Sequence, residues 1–290
     1  MTTAPATGPD GQTPDSDEAV VARCATAWGL VLERGTATPS GRVFRGMKGT
    51  RPVILKLPSS GSDEMRQGQV LRHFGGEGAV RILETDARAL LMESLEPGHA
   101  ATALTLADRD DEATRIFCRI AGQLHAAPAP DDSFTPVSAL ASGFDSPVRD
   151  GGGRLPDAER LQARDLFLSL VQTQSRLVPL HGDLHHENIL FDQERGWVAI
   201  DPKGYAGEAE YEAGAWLRNP LGHPRHAARP DRIAGRLAII SSMTGWNPRR
   251  VLQWSYAQAV LAALWAIEDG LDPDPQITAA HALRAALQVT

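Results

Sequence analysis

The stretch His181-Gly182-Asp183-Leu184-His185-His186-Glu187-Asn188-Ile189-Leu190-Phe191, followed after a short turn by Trp197-Val198-Ala199-Ile200-Asp201-Pro202-Lys203-Gly204, decides how this chain is read. Polar and ionisable side chains crowd the first eight positions. The apolar triplet after them has the composition of a short buried strand. Turn formers at 193–196 reverse the chain, and a second apolar strand runs from Trp197 to Ile200. The pattern predicts a hairpin whose open end brings Asn188 and Asp201 near each other.

Those residue types suit phosphoryl transfer. The reaction needs a carboxylate to orient and deprotonate the attacking hydroxyl, oxygen ligands for Mg²⁺, and a cation on the phosphates. Asp183 is the candidate for the first. Asn188, five residues on, and Asp201, on the next strand, offer oxygen donors to a hard cation. The spacing matches a catalytic loop His-x-Asp-x-x-x-x-Asn with a metal-binding Asp after a hairpin.

Upstream, Pro52 to Leu57 reads as a buried strand carrying one lysine, Lys56. An ammonium in such a strand is costly without a partner. Lys56 is therefore the candidate cation for the phosphates, and Glu64, early in a helix expected over 63–74, is its candidate ion-pair partner. The alternative is an edge strand with Lys56 pointing to water.

Working outward, residues 1–17 are rich in Thr, Pro, Gly and Asp and read as a disordered leader. Apolar residues fall at helical spacing from Ala19 to Leu30, and turn formers at 35–41 separate two strands. Further strands are expected at Val80–Leu83 and Ala89–Met92. Glu96-Pro97-Gly98 then breaks the pattern, giving a hinge near residues 93–98. Beyond it, helices are expected over 110–125, 157–174, 248–269 and 276–287, with a loop over 131–156. The fold class is α+β, in two lobes: a small sheet-rich N-lobe over 18–96 and a mostly helical C-lobe over 97–290. Ligands are expected between them.

The 290 residues hold 29 basic and 36 acidic side chains, a balance of −7. That sign argues against nucleic acid as a partner and suits a small cationic one. Cys24 and Cys118, the two cysteines, form neither a disulfide framework nor a zinc motif. No signal peptide and no apolar run of membrane-spanning length is visible. A cytoplasmic monomer is expected.

These motifs resemble the aminoglycoside phosphotransferase family of kinase-like enzymes and, within it, the streptomycin 6-phosphotransferases grouped with hydroxyurea-type resistance kinases. Pro179 to Leu190 and Gly196 to Pro202 carry the resemblance, with weaker matches at 76–81, 89–93 and 264–270. It implies a two-lobed protein-kinase-like fold and transfer of a γ-phosphate from ATP or GTP to a hydroxyl of an aminoglycoside such as streptomycin. It implies Asp183 as catalytic base, Asn188 and Asp201 as Mg²⁺ ligands, and Lys56 on the α- and β-phosphates. Met92 would precede a hinge, Glu93 to Leu95, whose backbone pairs with the purine, and 35–46 would cover the phosphates. The sequence departs from protein kinases in lacking Gly-x-Gly-x-x-Gly there. It also has Pro202-Lys203-Gly204 where they have Phe-Gly. Glu212 falls where relatives often have Asp.

For the substrate, Trp265, Glu268 and Asp269 lie at i, i+3 and i+4 of the last long helix. They offer an acidic and aromatic wall for a guanidinium group; Glu212 is a further candidate. The bland reading is a solvated helix end with a core tryptophan. Other readings are a different small hydroxylated acceptor, a metal-dependent hydrolase on His181, Asp183 and His185, and a zinc site on His181, His185 and His186.

Overall fold

The computed structural model describes residues 16–38, 41–59, 66–145, 154–223, 226–227 and 229–290. Most of the expected leader, and Glu64, lie outside them. Asp17 opens a helix instead, with Ser16 as its cap. The chain forms two compact units: residues 1–68 with 82–94, and residues 69–81 with 95–290. It therefore crosses between units three times rather than once near residue 96.

In the first unit, α1 (Asp17–Trp28) is capped by Ser16, whose side chain accepts from Ala19 N, and carries Asp17 and Glu18 in its first turn. It stops at Gly29, at φ 64°. Six strands follow: β1 (Leu30–Leu32), β2 (Thr36–Thr38), β3 (Gly41–Lys48), β4 (Arg51–Pro58) and, after the start of α2 (Gln67–Phe74), β5 (Ile82–Asp86) and β6 (Ala89–Glu93). The sheet is antiparallel in the order β1-β3-β4-β6-β5, with β2 on β3. Alternation along β4 sends Val53, Leu55 and Leu57 into a core with Val20, Cys24, Ala89 and Leu91. It sends Lys56 to the opposite face, where the side chain is 1% exposed.

In the second unit, β7 (Pro97–Ala100) and α3 (Thr102–Leu106) lead into α4 (Asp110–His125). Then come β8 (Thr135–Pro136), a 3-10 helix (Val137–Phe144), α5 (Asp157–Gln172) and β9 (Val178–Leu180). The hairpin β10 (Ile189–Asp192) and β11 (Gly196–Ala199) precedes β12 (Tyr205–Gly207), α6 (Ala213–Arg218), α7 (Pro230–Thr244), α8 (Pro248–Glu268) and α9 (Asp274–Val289). The apolar α8 runs through the core, against α5, α6 and α9.

Two expectations need correcting here. Residues 97–100 are not a break before helices. They form β7, which pairs with β10 to make a three-stranded sheet β11-β10-β7. Pro97 reads locally as a breaker, yet the first residue of an edge strand can lack its N–H without losing a ladder bond. The segment 131–156 is not simply loop. Val137–Phe144 is helical, and Phe144 is fully buried against Phe167, with ring centroids 5.4 Å apart. No helix among the described residues is long and apolar enough to cross a membrane.

Candidate active site

The site grows from the loop between β9 and β10. Ile189 pairs with Ala199 across the hairpin, and Ile200 N donates to Asn188 O at 2.9 Å. Asn188 and Asp201 thus leave the hairpin side by side. A second lace holds 181 to 200–204. Lys203 N and Gly204 N donate to His181 O at 2.8 and 3.1 Å, and His181 Nε2 donates to Ile200 O at 2.8 Å. His181 Nδ1 accepts from Asp183 N at 3.2 Å. That pair of bonds requires the neutral ring, and burial pushes the His181 pKa down. His181 is a brace for the loop.

Asn188 Nδ2 donates to Asp183 O at 2.9 Å, which closes the loop and leaves the carboxamide oxygen for other partners. Asp201 sits at φ 56°, in the left-handed region. Aspartate tolerates this better than most residues, at a cost of order 1 kcal/mol. Gly204, at φ 73°, lies against α2: a Cβ there would meet Val70 Cγ2 at 2.3 Å. Glycine is required for both backbone and space.

The Asp183 side chain is a quarter exposed. Its Oδ1 accepts from Arg218 NH2 at 3.3 Å, and its Oδ2 lies 3.6 Å from His185 Nε2. Burial pushes its pKa up, but its neighbours, His185 and Arg218 foremost, more than offset this and hold the carboxyl below the usual range. The group is a carboxylate at neutral pH.

Glu212 does not face a substrate. It is 1% exposed, and its carboxylate accepts from His181 N at 2.8 Å and Gly182 N at 2.9 Å, with His125 Nε2 at 3.2 Å. Burial raises its pKa, and His125, His181 and the Gly182 N–H together bring it below the ordinary value.

The three histidines of the zinc reading diverge. His181 turns to Ile200, and His185 to Asp183. His186 is fully buried, stacked on Trp216 at 3.7 Å, with Arg236 NH2 at 3.2 Å from its Nε2. The residues Asp183, Asn188 and Asp201 are brought together by the lacing.

Lys56, Met92 and Glu93 belong to the first unit. Lys56 on β4 pairs with Leu90 on β6, and Ile54 with Met92, so Lys56 and Met92 share the sheet face away from α1. The start of α2 lies over the same face, since a Cβ on Gly68 would meet Leu90 Cδ2 at 2.6 Å. Glu93 pairs with Val53 at the strand end and is nearly buried, 3.8 Å from Arg51. Leu95 falls in the second unit and is buried. Trp265 is 37% exposed, with its indole over Gly143, and Glu268 and Asp269 are exposed at the end of α8.

Sequence reading missed His125, Arg218, Arg236 and Gln258. Each lies on a helix far along the chain from the loop it serves, with no local signal.

Known proteins are similar to this chain in sequence and in fold. The family described as "Aminoglycoside/hydroxyurea antibiotic resistance kinase" matches residues 30–270. The chain is 34% identical to a streptomycin 3''-kinase of Klebsiella pneumoniae, over 80% of this chain and 86% of that one. It is 29% identical to a streptomycin 6-kinase of Streptomyces griseus, over 91% and 88%. Its fold is similar to the crystal structure of aminoglycoside phosphotransferase APH(4)-Ia, with TM-score 0.65, 15% identity, and 94% and 99% of the two chains covered. The chain belongs to the aminoglycoside/hydroxyurea antibiotic resistance kinase family, with the protein-kinase-like fold of aminoglycoside phosphotransferases.

Proposed function

We propose that this enzyme moves the γ-phosphate of ATP or GTP to a hydroxyl of streptomycin. The observation that carries the reading is the lacing of 181–188 to 200–204, which gathers Asp183, Asn188 and Asp201 around one loop. Asp183 orients the acceptor hydroxyl and takes its proton. The Asn188 carboxamide oxygen and the Asp201 carboxylate are a hard-donor pair that fits Mg²⁺. When bound, that ion offsets charge on the β- and γ-phosphates. Lys56 holds the α- and β-phosphates, and Met92 with the backbone of Glu93 to Leu95 holds the purine. His181 and Glu212 keep the loop in shape.

Two relatives named as streptomycin kinases support the acceptor. So does α8. Trp265 lies seven residues beyond Gln258, which touches Arg218 beside Asp183, and two helical turns span about 10 Å. Trp265, Glu268 and Asp269 could receive a guanidinium group of a substrate whose hydroxyl reaches Asp183.

The test uses γ-labelled Mg-ATP and Mg-GTP with streptomycin. Label should appear in the drug, at one hydroxyl located by NMR, the 3'' or the 6 position. Label recovered only as inorganic phosphate would defeat the reading, and transfer to hydroxyurea alone would replace the substrate. The Asp201→Ala variant should need at least about tenfold more Mg²⁺ for half-maximal rate. An unchanged Mg²⁺ dependence would remove Asp201 from the cation site.

A further inference from the structure

Arg218 is the one guanidinium that reaches the Asp183 carboxylate among the described residues, and no motif contains it. It ends α6, and its side chain is only 13% exposed. A long side chain held that far from water loses rotamer freedom, so something must set it. Three features do so. Arg218 NH1 donates to Gln258 Oε1 at 3.4 Å. Gln258 is itself nearly buried, and its Nε2 donates to Tyr211 O at 2.6 Å, which fixes which end of the amide faces Arg218. Gly214, one turn before Arg218, supplies the space: a Cβ there would stand 2.3 Å from Gln258 Oε1.

We infer that Arg218 is a positioning residue for phosphoryl transfer, set by Gln258 through the gap at Gly214, that fixes the rotation of the Asp183 carboxylate. The inference rests on the proposed role of Asp183. Arg218 occupies Oδ1, while His185 stands 3.6 Å from Oδ2, beyond a firm hydrogen bond. Oδ2 is thereby the oxygen presented to the acceptor hydroxyl. A carboxylate free to rotate would offer the productive lone pair for only part of the time, which lowers kcat without altering how nucleotide or acceptor binds. Arg218 also places a cation beside the reacting group. The cationic groups of a substrate must then lie away from Asp183, which fits a neutral hydroxyl there and guanidinium groups further along α8.

The experiment compares wild type, Arg218→Ala and Gln258→Leu, each checked for unchanged circular dichroism and melting. Arg218→Ala should lose about a hundredfold in kcat with both KM values within about threefold. Added methylguanidinium should recover about tenfold of that loss by refilling the vacated space. Gln258→Leu should lose about tenfold in kcat and gain nothing from methylguanidinium, because Arg218 still fills the space. The slow hydrolysis of ATP without acceptor is followed in parallel. It should fall with the same pattern, so the result stands whatever the acceptor. Arg218→Ala within threefold of wild type in kcat and in hydrolysis, or a loss carried by KM with no rescue, would overturn the inference. Failure of wild type to phosphorylate streptomycin while hydrolysis still follows the Arg218 pattern would count against the acceptor and leave Arg218 in place.

Discussion

Asp183→Asn is expected to lower kcat about a thousandfold while nucleotide affinity stays within about threefold. General-base groups contribute roughly 10²–10⁴ in rate, and the amide keeps the shape of the carboxylate while losing its capacity to take a proton. The surroundings sharpen the effect. Arg218 at 3.3 Å and His185 at 3.6 Å are set for a negative charge. With an amide between them they face each other across a neutral group, and the carboxamide will turn its oxygen toward Arg218. The atom offered to the acceptor is then the NH₂, a donor where an acceptor is needed. Nucleotide binding is spared because the carboxylate of Asp183 meets Arg218 and His185, neither of them assigned to the purine, the phosphates or the Mg²⁺ ion. Single-turnover transfer and calorimetric titration with a non-hydrolysable nucleotide check the two halves separately. Retention of more than a tenth of the wild-type turnover would end the assignment of Asp183 as base.

The loop and hairpin were legible in the sequence because their information is local. Asp183, Asn188 and Asp201 lie within 19 residues, and the apolar pattern of Ile189–Phe191 and Trp197–Ile200 sets their register. Lys56 stood out for a similarly local reason, a lysine inside the apolar run 53–57, and the structure buries it on the sheet face opposite the core. What failed to show was whatever depends on distant pairing. Pro97–Ala100 has the composition of a turn, and only β10, some ninety residues later, makes it a strand. Glu212 was found at the right place and given the wrong direction. Its charge is visible in the sequence, but the backbone N–H groups that claim it belong to residues 30 and 31 positions earlier. Arg218 reaches Asp183 over 35 positions and Gln258 over 40. An arginine at the end of a short helix looks like a solvated charge until the packing of α6 on α8 turns it inward.

The same packing hides the largest expected stability effect, at Asp110 and Arg236. Arg236 on α7 is 1% exposed, and its Nε and NH2 donate to both oxygens of Asp110 at 2.9 and 2.8 Å. Its NH1 donates to Trp216 O and Asn219 O, and its NH2 also reaches His186 in the loop between β9 and β10. Four partner residues on three segments make this guanidinium the tie that holds α7 to α4, to the end of α6 and to the loop. Removing Asp110 strands a buried cation, and breaking such a pair typically costs 3–5 kcal/mol. Removing Arg236 is gentler, because Asp110 keeps Thr105 Oγ1 at 2.9 Å and Arg232 NH1 at 3.3 Å. Asp110→Ala should therefore destabilise the second unit by about 3–5 kcal/mol and Arg236→Met by about 2 kcal/mol. The pair Asp110→Leu with Arg236→Met should cost less than Asp110→Ala alone, since no charge is left behind. Asp110 also predicts a pH dependence. Burial opposes its ionisation, yet Arg236 holds its folded pKa below the ordinary value. A depressed carboxylate stabilises the fold above its unfolded pKa, about 3.9, and that contribution is lost as pH falls through the folded value. Urea midpoints of the second unit's transition at pH 7 and at pH 3.5 measure both effects, and the gap between wild type and Asp110→Ala should narrow at the lower pH. Asp110→Ala within 1 kcal/mol of wild type at pH 7, or a gap that widens in acid, would show that the guanidinium does not depend on its carboxylate.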